Sequence, residues 1–204
     1  MLILSTIFNR LWVSLLVPPS GPDLLITWAL FCGYWLATIP SGLISTFVNF
    51  EPIEVWLNLE MYRDGLRLYG NRQAVKLMAM LLAWVLLEEL ICRVLLVPLA
   101  FESLPISQKL IWLGCAWLAA TTRYVIGYRQ IHPLFKQHRF LILAALLELG
   151  CLVAYITTES LWLTVFFHWL VLVVWLLPLG GRYKLQSYRL LAPDHAQSKI
   201  YLKD

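Results

Sequence analysis

Two adjacent glutamates and an arginine interrupt an apolar run that extends from about Ala74 to Phe101. They form the pattern Glu88-Glu89-x-x-x-Arg93. The run is long enough to cross a bilayer, which takes about 20 residues of helix. At that depth a charged side chain costs roughly 2.5 to 3.5 kcal/mol on translocon scales. Such residues are kept where they face a bundle interior or a wet cavity, so the pattern indicates a functional site.

The spacing of the three residues gives them different roles in a helix. Glu89 and Arg93 are one turn apart and can form an ion pair. Glu88 is turned by about 100° from Glu89 and does not face Arg93 well. We therefore expect Arg93 to compensate Glu89 and Glu88 to be free as a general base or acid. From the residues alone, catalysis, ion or proton conduction, and a structural ion cluster all stay open.

Other ionisable residues lie in the later apolar runs. His168 is near the middle of the last run, His132 follows the third, and Glu148 is in the fourth. We expect Glu148 to pair with Arg123 or Arg129 in a structural role. Glutamates and histidines from separate helices suggest activation of a water molecule. The pattern requires no cofactor, but two histidines and a carboxylate also form a ligand set for zinc, and the spacing does not decide this.

The composition is that of a membrane protein. The chain has 204 residues, of which 60% are hydrophobic and 14% charged, against about 25% charged in soluble domains. Its mean hydropathy is +0.72. We predict an all-α polytopic bundle forming a single domain, 1–204, with an N-terminal interfacial helix over Met1–Val17. Five spans are predicted, at about Leu24–Phe47, Ala74–Phe101, Leu110–Tyr128, Phe140–Thr157 and Leu161–Leu179.

Charge distribution predicts the topology. With five spans, thirteen of the 16 Lys and Arg residues fall on one face, Arg123 among them. The positive-inside rule then places the C-terminus and the basic tail, 182–204, in the cytoplasm. The ten tryptophans suit interfacial belts. The four cysteines lie in apolar runs without CxxC spacing, which favours small buried residues over disulfides. No pattern indicates nucleic-acid binding.

Three segments together resemble the CAAX protease and bacteriocin-processing family, also called CPBP or Abi, which is related to the type II CAAX prenyl endopeptidase. They are Glu88-Glu89-x-x-x-Arg93, Tyr128-x-x-x-His132, and Glu159-Ser160-Leu161-Trp162 continuing to His168. The resemblance covers a protease-like core, 74–181. It implies a glutamate-type intramembrane endopeptidase acting on membrane-anchored peptides or proteins.

The resemblance also implies roles for individual residues. Glu88 and His132 would activate water, and His168 would stabilise the oxyanion. Glu89 and Arg93 would orient the catalytic groups and neutralise charge at the site. Members of the family have long been described as metalloproteases, which keeps a metal open.

Two positions depart from the family pattern. Leu172 stands where the family usually has asparagine or another polar residue, one turn after the last histidine, so we expect Leu172 and His168 to face the same cavity. The second motif also has another register, Tyr124-Val125-Ile126-Gly127-Tyr128, with Tyr128 in place of His132. We prefer His132, because it supplies a titratable base. The remaining alternatives are a degraded, protease-like scaffold or chaperone, and a small transporter with a proton relay through Glu88, Glu89 and Glu148.

Overall fold

The fold is entirely helical in the part of the chain that the structure describes. This computed structural model describes residues 12, 15–16, 19–45, 47–48, 72–96, 104–128 and 133–181. Five α-helices occur in these ranges: α1 (Gly21–Thr38), α2 (Arg72–Glu89), α3 (Ile106–Arg123), α4 (His138–Thr158) and α5 (Leu161–Leu176). No strand occurs among these residues, so the all-α prediction is confirmed. The predicted N-terminal helix, apart from Trp12, Leu15 and Leu16, and the basic tail lie outside the described residues.

Two of the helices continue as π-helical turns. The turn Leu90–Leu95 extends α2, and Tyr124–Tyr128 extends α3. A short 3₁₀ segment, Pro133–Lys136, precedes α4. Isolated π turns occur often at functional sites, because the extra residue per turn redirects the side chains around it. Here one turn contains Arg93 and the other begins directly after Arg123.

The helix ends follow from local sequence. Ser20 and Asp23 form a capping box at the start of α1: the Ser20 hydroxyl accepts from the Asp23 N–H at 3.3 Å, and the Ser20 N–H donates to the Asp23 carboxylate at 3.0 Å. These bonds satisfy two backbone donors that the first helical turn leaves free. Between α4 and α5, Glu159 has φ of 52°. This left-handed residue ends α4 and lets the chain reverse into α5.

Helices α4 and α5 form the centre of the bundle. They pack against each other, α1 packs against both, α3 packs against α4, and α2 packs against α5. A glycine permits the close approach of α4 and α5: a Cβ at Gly150 would lie 2.7 Å from the ring of Phe167. Small residues are used in this way where helices approach closely. The contact brings the neighbouring His168 against α4.

Tryptophan side chains connect the elements. The indole N–H groups donate to backbone carbonyl oxygens of other segments, at 2.8 to 3.1 Å: Trp117 to Ala145, Trp162 to Leu15, Trp169 to Met78 and Trp175 to Phe47. These four residues therefore have partners within the protein.

The described residues include charged side chains in the interior and large apolar side chains on the surface. Glu89, Arg93 and Glu148 have no exposed surface, whereas Leu25, Leu36 and Ile106 are more than 70% exposed. Of the described helices, α4 alone is long and apolar enough to cross a membrane, and α5 is apolar but shorter. Length and composition alone do not distinguish a span from a buried core helix. Each predicted span contains a helix, but the structure does not confirm the prediction of five crossings.

Candidate functional site

A cluster of charged residues is buried where α2, α3, α4 and α5 meet. Glu88 and Glu89 end α2, Arg93 lies in the following π turn, Arg123 ends α3, and Glu148 and His168 lie within α4 and α5. Of these residues Arg123 is the most exposed, at 24% of its side chain, and the others are at most 7% exposed. We refer to these six residues as the buried charge cluster.

Glu89 bridges two of its members. One carboxylate oxygen lies 3.0 Å from Arg93 Nε, and the other lies 2.5 Å from His168 Nδ1. The structure thus contains the ion pair that the spacing of Glu89 and Arg93 predicted. The contact with His168 fixes the orientation of the imidazole ring. The other ring nitrogen, Nε2, is buried and has no hydrogen-bond partner among the described residues.

Glu148 contacts both arginines. Arg93 Nη2 lies 2.5 Å from one Glu148 carboxylate oxygen and 3.2 Å from the Glu148 backbone carbonyl. Arg123 Nη2 contacts the other carboxylate oxygen. The predicted pairing of Glu148 with Arg123 is therefore present. Glu148 receives a second cation as well, because Arg93 extends from the π turn toward α4.

The structure corrects two expectations about Glu88 and Arg123. Glu88 is not free of a cation, because it forms an ion pair with Arg123 and accepts from the Tyr124 hydroxyl at 3.3 Å. The rotation that turns Glu88 away from Arg93 directs it toward the end of α3. Arg123 accordingly belongs to the buried charge cluster and not to the cytoplasmic face where we had placed it. Its guanidinium also lies 3.3 Å from the sulfur of Cys92.

Glu88 and His168 lie close together. One carboxylate oxygen each of Glu88 and Glu148 and one ring nitrogen of His168 are all within 4.8 Å of one another. A second set with the same spacing consists of Glu89, Cys151 and His168. Distances of this size suit groups that share one water molecule or one ion.

A divalent metal does not fit these residues well. Both carboxylates of the first set contact a guanidinium group, and Glu89 of the second set contacts Arg93. A bound zinc ion would have to displace these cations or lie beside them, and like charges repel strongly in a buried environment. Cys92 and Cys151 are buried as expected, whereas Cys32 and Cys115 are exposed, so the expectation of four buried cysteines is wrong for those two.

Some predicted site residues are not described. His132 lies outside the described residues, and for Tyr128 only the backbone is described. The choice between them for the second motif remains a prediction.

We expected Leu172 and His168 to share a cavity, and the structure shows that they do not. It lines an apolar cavity of about 50 Å³ between α1, α4 and α5, and His168 is not among the described residues that line it. His168 is instead drawn toward α2 by Glu89.

Comparisons with protein-family models, with curated proteins and with solved structures were made for this chain. None of the three found a match. The buried charge cluster and its surroundings are therefore the basis for assigning a function.

Two functional candidates were missed by sequence reasoning. Sequence reasoning names Arg123 as a topology-determining cation and as a structural partner for Glu148, but not as a partner of Glu88. Tyr124 enters it only as the first residue of an alternative motif register. The Tyr124 hydroxyl lies 3.3 Å from Glu88 and 3.4 Å from Glu148, and Arg123 donates to it at 3.2 Å. An arginine and a tyrosine side by side at the end of an apolar run were the available signal.

Proposed function

We propose that this chain is an intramembrane endopeptidase of the glutamate type, and that it hydrolyses peptide bonds of membrane-anchored substrates. The observation that carries the proposal is the convergence of Glu88, Glu148 and His168 within 4.8 Å. The resemblance to the CPBP family is independent of this geometry and leads to the same chemistry. The bundle would cross the membrane several times, with its C-terminus in the cytoplasm.

Exposed apolar side chains support the membrane location. They occur on α1, on α2, on α3 and on the π turn that follows α3, and include Leu36, Met80, Leu110 and Ile126, each at least 60% exposed. Contiguous exposed apolar surface is typical of protein regions that face a membrane or a partner. The charged residues are in the interior, where charged residues within transmembrane segments are expected.

The proposed mechanism uses a water molecule held between Glu88 and His168. Glu88 takes a proton from this water as its oxygen attacks the carbonyl carbon of the substrate, and the proton then passes to the leaving amine. His168, oriented by Glu89, is close to the carbonyl oxygen on which negative charge develops. Arg123 contacts Glu148 as well as Glu88. Glu88 can therefore exchange the arginine for water without leaving that cation unpaired.

A protease-like scaffold or chaperone is the second candidate. Its support is that every carboxylate in the cluster already contacts an arginine, as expected for an ion network that locks four helices together. A proton-coupled transporter has less support. Glu88, Glu89 and Glu148 lie in one compact cluster, whereas a relay across a membrane needs groups spaced along a path.

Cleavage assays distinguish these candidates. The purified full chain is reconstituted in liposomes with a panel of membrane-anchored fluorogenic peptides. We expect the wild type to cleave at least one peptide and Glu88→Gln and His168→Ala to be inactive while remaining folded. Glu159→Gln is the matched control, because Glu159 lies in the exposed turn between α4 and α5. Full activity of Glu88→Gln would refute its role as base, and no cleavage by the wild type would favour the scaffold.

A further inference from the structure

Tyr124 forms the boundary between the buried charge cluster and the apolar cavity. Its hydroxyl contacts Glu88 and Glu148, and the residue also lines the cavity together with Trp35, Leu172 and Trp175. The hydroxyl therefore lies on the cluster side of this boundary, next to Glu88. Because Glu88, Glu148 and His168 converge within 4.8 Å, a substrate that reaches this site meets the hydroxyl directly.

The hydrogen bonds of the Tyr124 hydroxyl are long. Its distances of 3.3 Å to Glu88 and 3.4 Å to Glu148 exceed the usual 2.7 to 2.8 Å for a bond between hydroxyl and carboxylate. Such bonds are weak and can be exchanged for a better acceptor at little cost. Arg123 donates to the same oxygen at 3.2 Å, and its guanidinium carbon lies 4.8 Å from the ring centroid. Donation to the phenol oxygen polarises the O–H bond and makes it a stronger donor.

A residue of the cavity wall, Trp35, also has a buried hydrogen-bond donor. Trp35 is 8% exposed and has an indole N–H without a partner among the described residues. A buried donor of this kind calls for an explanation, because most buried polar groups are paired. The cavity is about 50 Å³, compared with about 150 Å³ for a cavity that binds benzene. It therefore has room for a single small group, and the peptide chain itself would lie outside it.

We propose that the Tyr124 hydroxyl donates a hydrogen bond to the carbonyl oxygen of the peptide bond that is cleaved. This inference rests on the proposed endopeptidase function. When water attacks the carbonyl carbon, negative charge develops on that oxygen, and a hydrogen-bond donor stabilises it. Leu172, on the wall of the same cavity, cannot donate. Tyr124 thus supplies from α3 a donor that α5 lacks, and it is a catalytic residue because it touches the reacting group.

The test measures kcat and KM in liposomes with the peptide that the wild type cleaves fastest, per folded protein. For Tyr124→Phe we expect kcat to fall about 100- to 1,000-fold with KM unchanged, the loss seen when one oxyanion donor is removed. Tyr155→Phe is the matched control, since it removes a buried hydroxyl from α4 beside Ala116 and Leu152, outside the cavity. Its kcat should stay within about twofold of the wild type.

A rescue variant separates catalysis from a structural role. Adding Leu172→Asn to Tyr124→Phe places a new donor on the same cavity wall and should recover kcat by about tenfold or more. Equal losses in Tyr124→Phe and Tyr155→Phe, or no recovery with Leu172→Asn, would overturn the inference. If Tyr124→Phe keeps wild-type kcat while Glu88→Gln is inactive, the inference fails and the endopeptidase proposal stands. If the wild type cleaves no peptide, both fail.

Discussion

Replacing Arg93 with methionine should strongly destabilise the protein. Arg93 has no exposed surface and contacts Glu89 at 3.0 Å, the Glu148 carboxylate at 2.5 Å and the Glu148 carbonyl at 3.2 Å. Without it, Arg123 still contacts Glu88 and Glu148, but Glu89 loses its guanidinium partner and keeps only its contact with His168 among the described residues. Removing one partner of a buried ion pair costs about 3–5 kcal/mol. That is a large part of the roughly 5–15 kcal/mol that stabilises a typical domain.

The measurement is the free energy of unfolding in detergent micelles, followed by tryptophan fluorescence. Arg139→Met is the control, because it removes an exposed arginine from the first turn of α4. A second variant combines Arg93→Met with Glu148→Gln. The double variant keeps the native charge difference of the cluster. The wild type has three carboxylates and two guanidinium groups, and the double variant has two and one. Its free energy of unfolding should be about 1–3 kcal/mol higher than the sum of the two single effects predicts. The reasoning is refuted if Arg93→Met differs from Arg139→Met by less than about 0.5 kcal/mol.

Further predictions concern packing, metal content and topology. Gly150→Ala should lower stability by about 1–3 kcal/mol because the new methyl group collides with Phe167. Gly114→Ala, where a Cβ meets nothing within 4 Å, is its control in thermal unfolding. Trp169→Phe should lower the free energy of unfolding by about 0.5–1.5 kcal/mol, because it removes the hydrogen bond to the Met78 carbonyl. Trp112→Phe, on the exposed face of α3, is its control. Chelators should leave peptide cleavage unchanged, and a loss of activity restored by zinc would contradict the charge argument. A protease-cleavable tag placed after the basic tail should be cut by protease added to the cytoplasmic side of sealed, oriented vesicles. Cutting only by protease on the opposite side would refute the topology.

Helix positions were predictable because long apolar runs are separated by helix-breaking residues. Pro18, Pro19 and Pro22 lie near the start of α1, and Gly180-Gly181 follow α5. The end of the first span was predicted less well, because the prediction ran past Pro40 to Phe47 whereas α1 ends at Thr38. The contact between Glu89 and Arg93 was predictable for a similar reason, since a spacing of four residues places side chains on one helix face. Both predictions depend on local geometry, which the sequence determines directly.

Contacts that depend on tertiary packing were not predictable in the same way. An arginine at the end of an apolar run is typical of a cytoplasmic boundary. The sequence left Arg123 and Arg129 as alternative partners of Glu148, and nothing local indicates the contact of Arg123 with Glu88. Its direction depends on where α2 and α4 place Glu88 and Glu148. The π turns carry no reliable sequence signal. Yet one of them contains Arg93, and the other begins directly after Arg123. Leu172 was expected beside His168 from helical spacing, but Glu89 attracts His168 to one side while Leu172 packs among the aromatic residues of the cavity.

The charge balance of the cluster bears on whether it is a catalytic site or a structural network. Glu88, Glu89 and Glu148 carry three negative charges, and Arg93 and Arg123 carry two positive ones. One carboxylate is therefore in excess of the guanidinium groups among the described residues. Glu89 also contacts His168 Nδ1 at 2.5 Å, which orients the imidazole within the cluster. A network that only locked helices together needs no imidazole at its centre. An oriented imidazole that converges with Glu88 and Glu148 within 4.8 Å is what a site needs to hold a water molecule next to a general base, and for this reason we favour the enzyme over the scaffold.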